Sequence, residues 1–181
     1  MIEINKERLL DSLYHLRSMG ALDRGVVRPA FSDADMYARN WLRQEFIEAG
    51  LRAEIDGVGN VLGISNNSGP AILLGSHLDT QPRGGWLDGA LGVIYGLEVM
   101  RTLSENSLTK DLAVDVVAFQ DEESRFLGCL GSRSFVGILD EDTFTTAIDK
   151  DGILLTDAID QAGLSGVNRA KLDLDRYVGF L

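Results

Sequence analysis

A near-continuous apolar run, rich in valine, extends from Leu112 to Phe119. Apolar side chains at successive positions over the length of a strand are typical of a strand that is covered on both faces. Another apolar segment, Ala71 to Gly75, comes earlier in the chain, and the helix-like stretch Ala90–Leu103 lies between the two. This alternation of strand, helix and strand predicts an α/β fold, a three-layer α/β/α sandwich around a buried sheet.

The rest of the chain adds helices and strands to this core. Leucines at helical spacing predict a helix over 5–19, which ends at Gly20. Ser32 and, three residues later, Asp35 form a capping pattern that predicts a second helix over 33–49. Further strands are predicted over 51–56, 61–65 and 177–181, and a further helix over 153–162.

Acidic residues outnumber basic ones, with 28 Asp and Glu against 17 Lys and Arg, for a net charge of −11. Nucleic acids and anionic membranes are bound through basic surfaces, so neither is an expected partner. The single cysteine, Cys129, cannot form an internal disulfide, and the N-terminus lacks the pattern of a secretory signal. No apolar run approaches the roughly 18–20 residues that span a bilayer. We therefore expect a soluble, cytoplasmic protein.

Three stretches of the sequence carry residues suited to catalysis or metal binding. The first places His77 directly after the predicted strand that begins at Ala71, where open α/β sheets hold their ligands. Asp79 follows two residues later, and its carboxylate could bond one imidazole nitrogen and make the other a better metal ligand. A histidine that is merely hydrogen-bonded at a strand end is the alternative.

The second stretch is a glycine-rich loop from Gly84 to Gly92, in which Asp88 comes immediately before the predicted helix. Asp often caps a helix N-terminus, and that role alone would explain its position. A carboxylate flanked by glycines also suits a ligand shared by two cations, because the thin backbone lets both ions approach. The residues alone leave both roles open for Asp88.

The third stretch is a run of three carboxylates, Asp121, Glu122 and Glu123, just beyond the apolar run. These groups repel one another, which is costly unless a cation or solvent absorbs the charge. Adjacent glutamates would also allow one to bind a metal while its neighbour takes a proton from bound water. The alternative is a solvated acidic turn.

Together these stretches resemble a known family. The segments GSHLDTQPRGGWLDGALGV and DEESRFLGCLGSRSFVG are similar to the dinuclear metallo-amidohydrolases of the M20 metallopeptidase superfamily. The resemblance is closest to the branch of N-carbamoyl-L-amino-acid hydrolase, β-ureidopropionase and allantoate amidohydrolase. It covers most of the chain. The spacings, 11 residues from His77 to Asp88 and 35 from Asp88 to Glu123, agree with that branch.

The resemblance implies a role for each candidate residue. His77 would be a ligand of one metal ion, Asp88 the bridge between two ions, and Glu123 a ligand of the second. Glu122 would be the general base, and Asp79 would orient His77. The implied cofactors are two divalent ions. Zinc is expected from the mixed histidine and carboxylate donors, and manganese, cobalt or nickel would also suit such a site.

The resemblance also implies an activity. It is hydrolysis of the amide or ureido C–N bond of N-carbamoyl amino acids or related ureido compounds, with a small molecule as the substrate. An aminopeptidase or another amidase of the same superfamily is the alternative enzyme.

The family has features that these 181 residues do not contain. It uses two further histidines and a helix-rich dimerisation domain, through which the full-length protein is expected to form a homodimer. The resemblance implies that residues 1–181 are the N-terminal portion of the catalytic domain. The isolated chain is then expected to be inactive, because each ion needs three or more protein donors. A non-catalytic protein that binds a partner or a metal is the rival prediction.

Overall fold

The computed structural model describes residues 2–181, which form six helices and seven strands. The helices are α1 Lys6–Ser18, α2 Asp33–Glu48, α3 Ala90–Ser104, α4 Leu130–Phe135, α5 Glu141–Thr146 and α6 Leu155–Gln161. The strands are β1 Ala21–Leu22, β2 Gly25–Val26, β3 Arg52–Ile55, β4 Val61–Ile64, β5 Ala71–His77, β6 Ala113–Phe119 and β7 Tyr177–Phe180. Every predicted helix and strand is confirmed, with small shifts at its ends.

The elements that sequence analysis missed are all short. The β1–β2 pair has two residues in each strand, and α4 and α5 have six residues each. Six residues make fewer than two helical turns, so no apolar period can develop within them. Helices α4 and α5 are held instead by tertiary packing, in which Phe135 and Phe144 are buried, whereas both residues of β1 are exposed.

The main sheet has the strand order β3-β4-β6-β5-β7. Strands β5, β6 and β7 are parallel, whereas β3 and β4 join the other edge as an antiparallel hairpin. In the register of the central pair, His77 at the end of β5 lies beside Phe119 at the end of β6. The chain segments that follow these two residues therefore leave the sheet at the same edge.

The sheet is covered on both faces, so the predicted three-layer sandwich is confirmed. Helices α1, α2 and α3 form the core on one face, where they bury Val114, Val116 and Ala118 of β6. On the other face Val117 lies in a second cluster with Phe135 of α4. Six of the seven β6 residues are buried, as the apolar run predicted.

Helix α3 packs closely on the sheet because of a glycine. A Cβ atom at Gly96 would lie only 2.9 Å from Val116 Cγ1 and 3.1 Å from Leu74 Cβ. Gly92 and Gly96 both lie within α3 without breaking it, and Gly96 lets the helix pack closely on β5 and β6. Among residues 2–181, no helix combines the length and apolar character needed to cross a membrane.

Candidate metal centre

The site lies where β5, β6 and the loop before α3 meet. His77 is the last residue of β5, Glu122 and Glu123 follow β6, and Asp88 lies two residues before α3 begins. One potential ligand atom from each of His77, Asp88 and Glu123 lies within 4.8 Å of the other two. The fold thus brings together one residue from each of the three stretches that the sequence singled out.

The orientation of the His77 ring is set by a backbone group. Its Nδ1 lies 2.9 Å from the carbonyl oxygen of Asp79, and the side chain is buried. A carbonyl oxygen only accepts hydrogen bonds, so Nδ1 carries the proton and a neutral ring presents the lone pair of Nε2. That is the state in which imidazole binds a metal ion.

The Asp79 carboxylate does not make the hydrogen bond that the sequence suggested. Its Oδ1 lies 3.8 Å from His77 Nδ1, and its Oδ2 accepts a hydrogen bond from the backbone N–H of Glu123 at 3.0 Å. The chain turns after β5, so the Asp79 carbonyl rather than its side chain meets the ring. Burial raises the pKa of Asp79, and the charge of Arg39 opposes that increase.

Gly89 contacts the opposite side of the His77 ring. A Cβ atom at this position would lie 2.5 Å from both Nε2 and Cε1, and the backbone φ is +64°. Both facts require glycine, because a side chain would overlap the ring and L residues rarely adopt that φ. The expected thin backbone beside Asp88 is present at Gly89.

Asp88 is exposed and does not act as the helix cap. The N-cap residue of α3 is Gly89, and no side-chain hydrogen bond caps this helix. The capping hypothesis for Asp88 is therefore wrong. Its carboxylate is instead one of the three clustered donors, together with His77 and Glu123.

The two glutamates differ in their surroundings. Glu123 is half-buried and accepts a hydrogen bond from the side chain of Gln81. Glu122 is more open, with 43% of its side chain exposed, and its Oε2 lies 3.6 Å from His77 Nε2. Glu122 therefore borders the cluster with a partly exposed carboxylate.

Asp121 turns away from the cluster. It is fully buried, and its carboxylate accepts hydrogen bonds from the backbone N–H groups of Arg125, Phe126 and Leu127, at 2.6, 2.9 and 2.8 Å. Burial raises the pKa of Asp121 to about 6. The three consecutive carboxylates are thus divided: Asp121 holds the loop that leads to α4, while the two glutamates face the site.

Sequence analysis missed a buried ion pair beneath the site. Arg39 and Asp35, one turn apart on α2, are both fully buried and joined at 3.0 Å. The available signal was a charged residue between Ala38 and Leu42, on the apolar face of the predicted helix. Such residues are almost always paired when they are buried, so the position itself predicts a partner.

A cavity of about 550 Å³ opens beside the cluster. Glu123 and Asp79 line it on the side of the site, and Phe31, Gln81 and Arg125 are among its other lining residues. This volume lies in the range of small-molecule sites.

The residues present fit a divalent cation. A neutral imidazole nitrogen and two carboxylates are donors that zinc uses, and three protein donors with one open position is the usual set at catalytic zinc. Asp88, Glu123 and the neighbouring Glu122 also place three negative charges around one histidine. A cation between them offsets that repulsion.

Comparisons with known proteins agree with this geometry. The sequence model for peptidase family M28 matches residues 60–168. An N-carbamoyl-L-amino acid amidohydrolase of Geobacillus stearothermophilus is 38% identical over 167 residues, covering 89% of this chain and 41% of that protein. Allantoate deiminase 2 of Glycine max is 31% identical, covering 95% of this chain and 37% of that protein.

Solved structures give the same result. A hydantoinase/carbamoylase family amidase from Burkholderia phymatum superposes with a TM-score of 0.98 and 52% identity, over 99% of this chain and 45% of that one. The chain therefore spans less than half the length of the relatives it matches. Their names confirm the predicted similarity to carbamoyl-amino-acid hydrolases, whereas the matching family model is M28 rather than M20.

Proposed function

The chain belongs to peptidase family M28, and from that membership we propose that it is the metal-binding part of a hydrolase for N-carbamoyl amino acids or related ureido compounds. The observation that carries the proposal is the cluster of His77, Asp88 and Glu123 at the carboxyl ends of the parallel strands. The names of the curated relatives support ureido C–N bonds as the bonds cleaved. M28 and M20 are related peptidase families, and the resemblance to the carbamoyl-amino-acid hydrolase branch of M20 supports the proposed substrate class.

We assign the cofactors as two divalent ions, zinc in preference to manganese, cobalt or nickel. His77 would hold one ion through Nε2, Glu123 would hold the other, and Asp88 would bridge them. A bound divalent ion supplies a Lewis acid for the carbonyl and lowers the pKa of a water molecule. The mixed nitrogen and oxygen donors support this assignment.

Glu122 and Asp79 have proposed roles in proton transfer and in the orientation of His77. Glu122 is the proposed general base, because its partly exposed carboxylate lies 3.6 Å from His77 Nε2 and, within residues 2–181, accepts a side-chain hydrogen bond only from Cys129. It takes the proton of the attacking water and delivers it to the leaving nitrogen. Asp79 keeps His77 oriented through its carbonyl oxygen. Water adds to the ureido carbonyl, the C–N bond to the amino acid breaks, and the carbamate released decomposes to carbon dioxide and ammonia.

The activity is proposed for the whole protein, because this chain spans less than half the length of its relatives. Three donors in the described residues do not complete two ions that each need three or more. We therefore propose that residues 1–181 are the N-terminal portion of a catalytic domain, inactive alone, in a protein that is a homodimer at full length.

A chimera tests this proposal. The chain would replace the matching part of the Burkholderia phymatum amidase, which aligns with 99% of it. Ammonia and amino-acid release would be measured with N-carbamoyl amino acids, allantoate, ureidoglycolate and dipeptides, with the parent amidase as the control. We expect ammonia from ureido substrates only. Cleavage of dipeptides alone would support an aminopeptidase, and zinc binding without turnover would support a non-catalytic binding protein.

A further inference from the structure

The buried arginine beneath the site is hydrogen-bonded to the end of β6, one of the two strand ends that carry the cluster. The Arg39 Nε donates to both carboxylate oxygens of Asp35 at 3.0 Å. Nη1 donates to the carbonyl oxygens of Gly59 and Ala118 at 3.0 and 3.2 Å. Nη2 donates to the carbonyl oxygen of Phe119 at 3.1 Å. The guanidinium thus joins α2 to the β3–β4 hairpin and to the end of β6.

The same group also faces the segment that follows β5. Arg39 Nη2 lies 3.7 Å from Asp79 Oδ1, and that oxygen is buried without a hydrogen-bond partner in residues 2–181. A buried carboxylate oxygen without a hydrogen bond is costly unless a cation lies near it. The guanidinium of Arg39 is that cation.

These contacts place the Arg39 guanidinium between the segment that carries His77 and the segment that carries Glu123. Asp79 bonds the His77 ring through its carbonyl and the Glu123 backbone N–H through its carboxylate. Phe119 ends the strand that leads to Glu123. A change in the position of Arg39 would therefore move His77 and Glu123 relative to each other.

We propose that Arg39 is a positioning residue of the metal centre, which holds the segments that follow β5 and β6 in the positions that let His77 and Glu123 bind neighbouring ions. The inference rests on the proposed function, because it assumes that the cluster binds metal. Arginine is required rather than lysine, since a planar fork with five N–H groups is needed to reach these acceptors together, whereas an ammonium has three donors at one point.

The chain offers a matched control at the opposite end of β6. Arg176 donates to the carboxylate of Asp115 at 2.6 and 2.8 Å and to the Ser65 carbonyl at 3.1 Å. Asp115 is as buried as Asp79, at 1% exposed. Replacing either arginine by lysine removes a comparable network, but only Arg39 lies beneath the cluster.

The test is zinc titration calorimetry on the 181-residue chain, on Arg39→Lys and on Arg176→Lys, with thermal unfolding of each. We expect Arg39→Lys to bind zinc roughly 10- to 100-fold more weakly, the usual cost of losing a group that orients a ligand. Arg176→Lys should lose stability and keep its zinc affinity. Equal zinc affinity in Arg39→Lys and the unsubstituted chain, or an equal loss in Arg176→Lys, would overturn the inference.

A second measurement uses the unsubstituted chain and so does not depend on the folding of a variant. Zinc added to the unsubstituted chain should shift the NMR signals of the Arg39 guanidinium and leave those of Arg176 in place. Zinc that binds while both sets stay unchanged would refute the positioning role and leave the proposed function intact. A chain that binds no zinc would instead refute the metal centre itself.

Discussion

The imidazole Nδ1 of His77 lies 2.9 Å from the backbone carbonyl oxygen of Asp79. Because a carbonyl has no proton to donate, this contact fixes the tautomer of the ring. It is made by the main chain two residues beyond the strand, and not by the side chain of Asp79. The nitrogen that we propose as a metal ligand is therefore oriented by the turn after β5, and not by the carboxylate that the sequence suggested.

The tautomer can be observed directly. The chain has two histidines, and His15 is exposed on α1. We expect neutral His77 to carry its proton on Nδ1, seen in long-range ¹H–¹⁵N correlation spectra, with the His15→Gln variant used to assign the signals. Zinc should shift the Nε2 signal of His77 only. A protonated Nε2 in neutral His77 would contradict the orientation described for this ring.

A methyl group at position 89 should damage the site. A Cβ there would overlap the His77 ring, and the φ of +64° is unfavourable for alanine. We expect Gly89→Ala to cost about 1–3 kcal/mol of unfolding free energy and to weaken zinc binding. Gly85→Ala is the control in the same loop, because a Cβ there meets no atom within 4 Å. Equal behaviour of the two variants in denaturant titration and calorimetry would contradict the close packing.

Substitutions of the neighbouring glutamates should affect zinc binding in one case and proton transfer in the other. We expect Glu123→Gln to weaken zinc binding to the chain, since a neutral amide is a poorer ligand than a carboxylate. Glu122→Gln should leave zinc affinity nearly unchanged and abolish turnover in the Burkholderia chimera. Calorimetry and ammonia release measure the two effects. A reversed pattern would exchange the roles of Glu122 and Glu123.

An ion pair near the cavity predicts a pH dependence of stability. Asp149 accepts hydrogen bonds from Arg125 at 2.9 and 3.1 Å and from the N–H groups of Asp151 and Ile153. These hydrogen bonds and the charge of Arg125 outweigh desolvation and hold the pKa of Asp149 below its usual value. The stabilisation is therefore complete above the unfolded pKa and is lost as the pH falls through the lowered one.

Asp149→Asn should cost roughly 1.5–3 kcal/mol at pH 7, the usual value of a hydrogen bond to a charged group. The difference from the unsubstituted chain should shrink at acidic pH, as measured by denaturant unfolding from pH 7 to pH 3. Asp151→Asn is the control, since Asp151 pairs with Lys150 in a largely exposed contact that contributes little. A difference between Asp149→Asn and the unsubstituted chain that stayed constant with pH would contradict the assignment.

The helices and strands that could be predicted are those along which a sequence pattern repeats over the whole length of the element. The run Leu112–Phe119 was buried on both faces as expected, and Ser32 caps α2 by accepting a hydrogen bond from the Asp35 N–H at 3.3 Å. No local sequence pattern specifies the strand order of the sheet, in which β4 pairs with β6 in the antiparallel sense. It depends on how the β3–β4 hairpin packs on α2, which is a long-range property.

The candidate site likewise has features that the sequence predicted and features that it did not. His77, Asp88 and Glu123 could be selected because each follows or precedes an element whose end the sequence marks, and parallel strands present those ends at one edge. The contact of His77 with a main-chain carbonyl depends on a turn that sequence patterns do not describe. Arg39 lies 38 residues before His77 and reaches the site only through tertiary packing.

The central claim is that His77, Asp88 and Glu123 bind divalent metal, and zinc titration of the 181-residue chain tests it most directly. We expect saturable zinc binding with at least one ion per chain. His77→Ala or Asp88→Asn should weaken it by more than the roughly 10- to 100-fold that follows the loss of an orienting group. His15→Gln should bind as the unsubstituted chain does. Zinc affinity that was absent, or that survived replacement of His77 and Asp88, would contradict the account.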